Sequence, residues 1–446
     1  MPLPRIPSLA VLAAAVAACG SGSQKCDPSS QNGAIAATVQ DWYLFPELLP
    51  AAIDPAAYGT PSALLDALTQ AARDQGKDRG WSYVTTVSQT QQFYGAGQSV
   101  GFGIVALVRG SQLFLGDVIG GSAAADAGFV RGDEILRIGD TAAALVPVAD
   151  LLAAAGALSE AYGPSTAGVT RVLEVRTQAG ATEQRTVTKR AYSLDPVPAV
   201  AIVPRTGSAP AGYLALRTFI GTAEAPLRQA FADFQAAGVT DVVVDLRYNG
   251  GGLVSLAELL ADLLGRDQAG KLMYSMQFNA RHASSGSTTF FGAVSGAMAP
   301  ARIAFVTSGA TASASELVPN VLDPYASVAL VGSQTYGKPV GQISFQDTSC
   351  DLALFLISFR LVNSAGDADY YGGLPDAGFR GPLCPAADDL TQPQDSPLEA
   401  STAAALYWLE NGTCPPPPVA ARAIPPTVFP RAARPTPAQV DMPGLF

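Results

Sequence analysis

Apolar and polar residues alternate with three different rhythms along this chain, and each rhythm predicts a different kind of element. Between about residues 34 and 95 the apolar positions fall at helical spacing, in Asp41-Trp42-Tyr43-Leu44-Phe45 and from Pro61 to Ala72, where Pro61 suits a first helical turn. Trp81-Ser82-Tyr83-Val84 then shifts to strand-like alternation. From about Val100 to Tyr192 short strands are separated by glycines. They run from Gly101-Phe102-Gly103-Ile104-Val105 through Gln112 to Val118 and on to Glu134-Ile135-Leu136-Arg137-Ile138-Gly139. A helix from Val148 to Leu158 and two alternating strands, Val169 to Thr177 and Thr182 to Lys189, follow.

Beyond about Pro196 strands and helices take turns: strand Gly212 to Phe219, helix Glu224 to Ala237, strand Thr240 to Leu246, a turn at Arg247-Tyr248-Asn249-Gly250-Gly251-Gly252, and helix Leu253 to Leu264. Strands Ala301 to Val306, Val328 to Val331 and Leu352 to Leu361 continue the series. Val242 to Val244 is apolar without alternation, as expected of a strand covered on both faces, so the fold class is α/β. The rhythms divide the chain into a leader (1–18), a tether (19–33), a helical region (34–95), a β-rich domain (96–195), an α/β core (196–412) and a proline-rich tail (413–446) expected to run extended and unpacked.

Composition narrows the function. Hydrophobic residues are 48% and charged ones 14% of 446, a globular composition with material for two or three domains. A formal net charge of -10 and the lack of any basic cluster exclude a nucleic-acid surface. Arg5 precedes an apolar stretch from Leu9 to Ala18 that is too short to span a bilayer and reads as part of an export signal. Val16-Ala17-Ala18-Cys19 resembles a bacterial lipobox, which implies that Cys19 is lipidated and becomes the mature N-terminus; plain cleavage after Ala18 is the alternative. With Gly20 following, the resemblance implies an outer-membrane lipoprotein facing the periplasm, in contact with the membrane through its lipid only.

Export leaves Cys26, Cys350, Cys384 and Cys414 in an oxidising compartment. Of three possible pairings, Cys350 with Cys384 and Cys26 with Cys414 are expected. A single histidine and the absence of paired C-x-x-C spacing argue against zinc, and no metal or cofactor is expected.

Candidate chemistry centres on Thr307 to Gln342. Ser313 with Glu316 three residues on fits a capping box at a helix N-terminus. The same serine is a candidate nucleophile if a neutral lysine can take its proton, and Lys338 lies among the uncharged Gly337, Pro339 and Val340, in a setting expected to be desolvated. Gln342, one turn on, would orient the amine without the carboxylate that would hold it charged. The glycine turn lacks the G-x-G-x-x-G and G-x-x-x-x-G-K-[ST] patterns of phosphate sites; its amides suit a developing oxyanion instead. A Ser-His-Asp triad would have to use His282, which stands in the polar segment Asn279 to Ser284, read as a mobile loop. Ser315 is read as a structural hydrogen-bonding group, Glu316 as a cap, and Pro319 as a residue that kinks or weakens the helix after Ser313.

Two resemblances sharpen this. Gly101-Phe102-Gly103-Ile104, together with AGFVRGDEILRIGD, resembles a PDZ domain, whose glycine loop holds a peptide's terminal carboxylate while its edge strand accepts the peptide as an extra strand. VVDLRYNGGG, TASASE and YGKPVGQ resemble the core of the carboxy-terminal processing (tail-specific) proteases, peptidase family S41, over about residues 35 to 410. That family implies a ClpP/crotonase-like α/β core with a helical N-terminal region and a PDZ domain. It implies Ser313 as nucleophile, Lys338, 25 positions later, as base and Gln342 as its orienter. The oxyanion donors implied are Gly250 or Gly251 and Ala314, and Pro324 departs from an aspartate present in some relatives. The expected activity is a serine endopeptidase acting on proteins or peptides with accessible C-termini. A binding protein on the same fold, without turnover, and a protease gated by its PDZ domain or a partner are the alternatives.

Overall fold

The computed structural model describes residues 26–376, 378–416, 427–432 and 435–446. The leader and Cys19 lie outside the described residues. The chain forms two compact units, one comprising the chain up to Gln91 with Leu272–Phe290 and Lys338–Tyr371, the other Gln92–Lys271, Phe291–Gly337 and Gly372–Phe446.

The first unit packs helices on an antiparallel sheet. Helix Pro28–Trp42 starts at Asp27, whose carboxylate accepts the Ser30 amide at 3.1 Å. Helix Pro61–Asp74 starts at Thr60, whose hydroxyl accepts the Ala63 amide at 3.2 Å. Leu64, Leu65, Leu68 and Ala72 fall on one face of it and are buried, which fixes that face toward the core. The sheet runs in the order Tyr83–Thr85, Leu352–Asn363, Leu272–Phe278, Ser287–Phe290, and strand Val340–Asp347 also pairs with Leu352–Asn363. His282 does not sit in a mobile loop. Its segment forms 3-10 turns over Ala280–Ser285 with a kink at His282, and its ring stacks on Trp42 with centroids 3.6 Å apart.

The second unit holds the α/β core and the β-rich domain. The core sheet is ordered Ala199–Val203, Ala211–Ala215, Asp241–Asp245, Arg302–Thr307, Val328–Gly332, Leu383–Pro385; all neighbours are parallel except the first pair. Helices Glu224–Ala236, Val254–Leu264 and Ala314–Leu322 are the crossovers between consecutive parallel strands, and Asp241–Asp245 is buried throughout. In the β-rich domain, strand Ile104–Arg109 lies beside Gln112–Val118 and, on its other side, pairs with Thr427–Val428. The helix expected from Val148 to Leu158 is two, Val148–Ala153 and Ala157–Tyr162, broken at Gly156, whose φ of 81° a helix does not accommodate.

Two further expectations are corrected. The disulfides are Cys26–Cys350 and Cys384–Cys414, so each bridge staples a single unit. Cys384 stands on an edge strand of the core sheet, and helix Ala400–Asn411, packed on that sheet, returns Cys414 to it. The tail is not unpacked. Pro437–Asp441 is helical, and Ala438, Met442, Leu445 and Phe446 are buried, because apolar residues follow the prolines and find partners in the β-rich domain. Pro319 lies inside its helix, which continues to Leu322. With one N–H missing from so short a helix, burial of Leu317, Val318, Val321 and Leu322 carries it through.

The Cys384–Cys414 bridge closes a loop with a sequence separation of 30. Replacing both cysteines by serine is expected to cost about 3–4 kcal/mol from loop entropy. Urea unfolding of the oxidised proteins measures this, and a difference below about 1 kcal/mol contradicts it.

Candidate active site

The glycine turn is built by its own polar groups. The Asn249 side chain donates to the Leu216 carbonyl at 2.9 Å and accepts the Gly251 amide at 2.9 Å, while its backbone carbonyl accepts the Ala312 amide at 3.1 Å. Thr311 Oγ1 donates to the Leu246 carbonyl at 2.8 Å, and Ser308 Oγ donates to the Arg247 carbonyl. These bonds join the end of strand Asp241–Asp245 to the segment carrying Ser313. Gly251 must be glycine: its φ is 124°, and a Cβ there would stand 2.9 Å from Ser313 Cβ and 3.3 Å from the Ala314 amide nitrogen. Ser313, Ala314 and Gly251 are therefore brought together as expected. The amides of Gly250 and Gly251 have different partners. The Gly251 amide is committed to Asn249, whereas the Gly250 amide points out of the turn and donates to the Asp441 carbonyl at 2.8 Å.

Ser313 precedes helix Ala314–Leu322 with φ 58° and ψ -119°, a conformation L-residues adopt rarely and at a cost of about 1–3 kcal/mol. It is held there by Glu316, fully buried, whose carboxylate accepts the Ser313 amide at 2.8 Å, Thr335 Oγ1 at 2.5 Å and the Gly337 amide at 2.7 Å. Glu316 is thus a cap, and it also ties the elbow to the strand-to-loop segment that precedes Lys338. The neighbouring Ser315 hydroxyl is buried and has no hydrogen-bond partner among the described residues, so its expected structural bond is not made.

In the other unit, Lys338 is buried at 5% exposure and its Nζ donates to Gln342 Oε1 at 2.7 Å. Gln342 Nε2 in turn donates to the Trp81 carbonyl at 2.6 Å. Trp81 is fixed by Asp78, which accepts its amide at 2.7 Å, the Ser82 hydroxyl at 2.7 Å and the Tyr43 hydroxyl at 3.0 Å. Burial and the adjacent Asp78 push the Tyr43 phenol far above its usual range, so it stays a neutral donor. This chain of bonds settles which amide atom of Gln342 faces the lysine: the oxygen.

Behind the glycine turn lies a buried ion network that sequence reasoning missed. Arg247, 1% exposed, contacts Asp245 at 2.7 Å, Asp388 at 2.9 Å and Glu399 at 2.9 Å, and Arg131 of the β-rich domain meets Asp388 at 2.5 Å. Burial alone would raise the Asp388 carboxyl, but Arg131 and Arg247 hold it well below the usual carboxylate range. The available signal was the run Asp245-Leu246-Arg247 next to the glycines; its partners lie too far along the chain to be inferred.

The loop Gly101–Ile104 turns at a glycine that no other residue could replace without a clash. Gly103 has φ 81°, and a Cβ on it would stand 2.2 Å from Ser122 Cβ. The Gly103 and Ile104 amides converge on one acceptor, the backbone oxygen of Phe446, at 2.8 and 3.3 Å. Phe102 turns inward, with Lys189 Nζ 4.8 Å from its ring centre. Lys189 is almost fully buried, donates to the Gly163 carbonyl at 2.9 Å, and is pushed down to about 8 by burial and by Arg171. The folded chain therefore binds fewer protons than the unfolded chain between about 8 and 10.5, and stability should rise with pH across that window and be lost as pH falls through 8. Melting curves from pH 7 to 10.5 should show this rise in the wild type and a flatter dependence in Lys189→Met; identical slopes contradict it.

Residues 210–375 match peptidase family S41, and residues 30–83 match the peptidase S41 N-terminal domain. The chain is 30% identical over 277 residues to a chloroplastic C-terminal processing peptidase of Tetradesmus obliquus, covering 57% of this chain and 54% of that one. It is 25% identical over 293 residues to a carboxyl-terminal-processing protease of Synechocystis, covering 65% and 64%. The chain thus spans between about half and two thirds of the length of the curated relatives it matches. Among solved structures, a chain from Bacteroides fragilis assigned to the S41 proteases superimposes with a TM-score of 0.66 at 23% identity, covering 85% of this chain and 97% of that one, a likeness of fold.

Proposed function

As the chain belongs to peptidase family S41, we propose that it is a serine endopeptidase in which Ser313 is the nucleophile and Lys338 the general base. The observation that carries this reading is the strained Ser313 elbow, fixed by Glu316 and set against Gly251. Neutral Lys338 takes the Ser313 proton as Oγ attacks the scissile carbonyl, and returns it to the leaving amine. The Gly250 and Ala314 amides stabilise the oxyanion, each donor of this kind contributing about 3–4 kcal/mol. A water deprotonated by the same lysine then releases the acyl-enzyme. The loop Gly101–Ile104 and strand Ile104–Arg109 take the substrate's C-terminal residues as an added strand. The leader and Cys19 support export as a lipoprotein of the outer membrane facing the periplasm.

The test is incubation with an unfolded reporter ending in apolar residues, followed by mass spectrometry of the products. Internal cleavage is expected, and an intact reporter in the presence of folded enzyme overturns the reading.

Gln342→Glu offers a sharper test of the base. A carboxylate in place of an amide oxygen 2.7 Å from Lys338 Nζ favours the ammonium. The rising limb of kcat against pH should move up by about one to three pH units. Gln342→Met should lower kcat without that displacement. Superimposable pH profiles for wild type and Gln342→Glu would remove Lys338 from the base role.

A further inference from the structure

Residues Gly444 to Phe446 lie in the groove described above. Phe446 donates its amide to the Ile104 carbonyl at 3.0 Å and receives the Gly103 and Ile104 amides on its backbone oxygen, while the Ala106 amide donates to the Gly444 carbonyl at 2.8 Å. Leu445 pairs antiparallel with Val105. Residues Gly444 to Phe446 are in effect an extra strand beside Ile104–Ala106, on the side of strand Ile104–Arg109 that also pairs with Thr427–Val428. The Phe446 ring is 3% exposed and stacks on Tyr162 with centroids 4.1 Å apart, in the same apolar cluster as Phe102, Ile104 and Leu158. Gly444 has φ 86°, and a Cβ on it would stand 2.2 Å from the Ala106 carbonyl oxygen.

The same segment reaches the glycine turn. Helix Pro437–Asp441 is fixed by a capping box between Thr436 and Gln439, and Gln439 Nε2 donates to the Leu445 carbonyl at 3.0 Å. Tyr94 donates its hydroxyl to the Asp441 carboxylate at 2.7 Å. The Asp441 carbonyl then accepts the Gly250 amide at 2.8 Å, and a Cβ on Gly250 would stand 2.8 Å from Pro443 Cδ. One continuous stretch thus fills the peptide groove and engages the amide assigned above to the oxyanion.

We infer that residues 436–446 are the resident ligand of this groove, an intramolecular strap that inhibits the enzyme until a peptide ending in a glycine-aliphatic-aromatic pattern or its equivalent displaces it. The inhibitory part rests on the protease reading; the occupancy of the groove does not. A tethered segment acts at an effective concentration of the order of millimolar, so a competing peptide of ordinary affinity is held off by mass action alone.

The test compares the full chain with a chain ending at residue 435 and with full-length Gly444→Val, which cannot seat the strap but keeps its residues. The probe is a fluorescein-labelled peptide of residues 437–446. Its Kd should be about 10- to 100-fold tighter for both variants than for the full chain. Hydrogen exchange at Gly103, Ile104 and Ala106 should be slow in the full chain and faster in Gly444→Val. Equal Kd values and equal exchange overturn the strap. Both variants should also cleave the unfolded reporter several-fold faster than the full chain. Equal cleavage rates beside unequal Kd values overturn the inhibitory part. No cleavage by any form, beside unequal Kd values, overturns the protease reading and leaves the strap standing.

Discussion

Ser313→Ala is expected to lower kcat/KM for an unfolded reporter by about 10⁴-fold or more, because a nucleophile has no substitute in a covalent mechanism. Its fold should survive. The groups that hold the elbow are the Ser313 amide and the Glu316 carboxylate, and alanine keeps the first and leaves the second untouched. Ser313→Gly should be equally inactive yet more stable than Ser313→Ala by about 1 kcal/mol, since glycine adopts φ 58° without a Cβ penalty. Reporter cleavage with thermal melting of the three proteins measures both effects. Retained turnover in folded Ser313→Ala would remove the serine from the mechanism.

Arg247→Met should produce the largest loss of stability. It leaves Asp245, Asp388 and Glu399 without the guanidinium that contacts all three, two of them fully buried. Breaking a buried network from one side costs about 3–5 kcal/mol. The Asp388 carboxyl is held low in the folded chain, so its contribution is present at neutral pH and lost as pH falls; the penalty should shrink toward acid. Urea unfolding at pH 7 and pH 3, below the ordinary aspartate value of 3.8, checks the magnitude and the sign, and a loss below about 1 kcal/mol at pH 7 contradicts the assignment.

Much of the fold was legible because burial leaves a periodic mark. Gln112–Val118 follows its alternation, and Asp241–Asp245 and Val254–Leu264 lie within a residue or so of the bounds read from the apolar runs. Strands Leu272–Phe278 and Val340–Asp347 were not anticipated. Their burial is irregular, with polar residues such as Gln277 and Gln342 among the apolar ones, and pairing with Leu352–Asn363 decides their state. The site divides in the same way. Ser313, Gly251, Lys338 and Gln342 were reachable from spacing and small-residue chemistry. Asp388 and Glu399 were not, because Arg247 meets Asp388 across 141 residues and Glu399 across 152; Asp78 was not, because the Trp81 backbone it fixes meets Gln342 across 261. The disulfide pairing failed for the same reason. It depends on which strand edge each cysteine reaches, and periodicity does not encode that.

The division of the chain also sets an order of assembly. The β-rich domain draws its sheet almost entirely from one continuous stretch, whereas the first unit gathers residues before Gln91, a hairpin from Leu272–Phe290 and strands that end at Tyr371. Its Cys26–Cys350 bridge closes over 324 residues. During synthesis the helices Pro28–Trp42 and Pro61–Asp74 are made long before the strands Leu272–Phe278, Val340–Asp347 and Leu352–Asn363 of the sheet they cover. Their apolar faces wait while the rest of the chain folds, and that interval is where aggregation or chaperone capture of the nascent protein is expected.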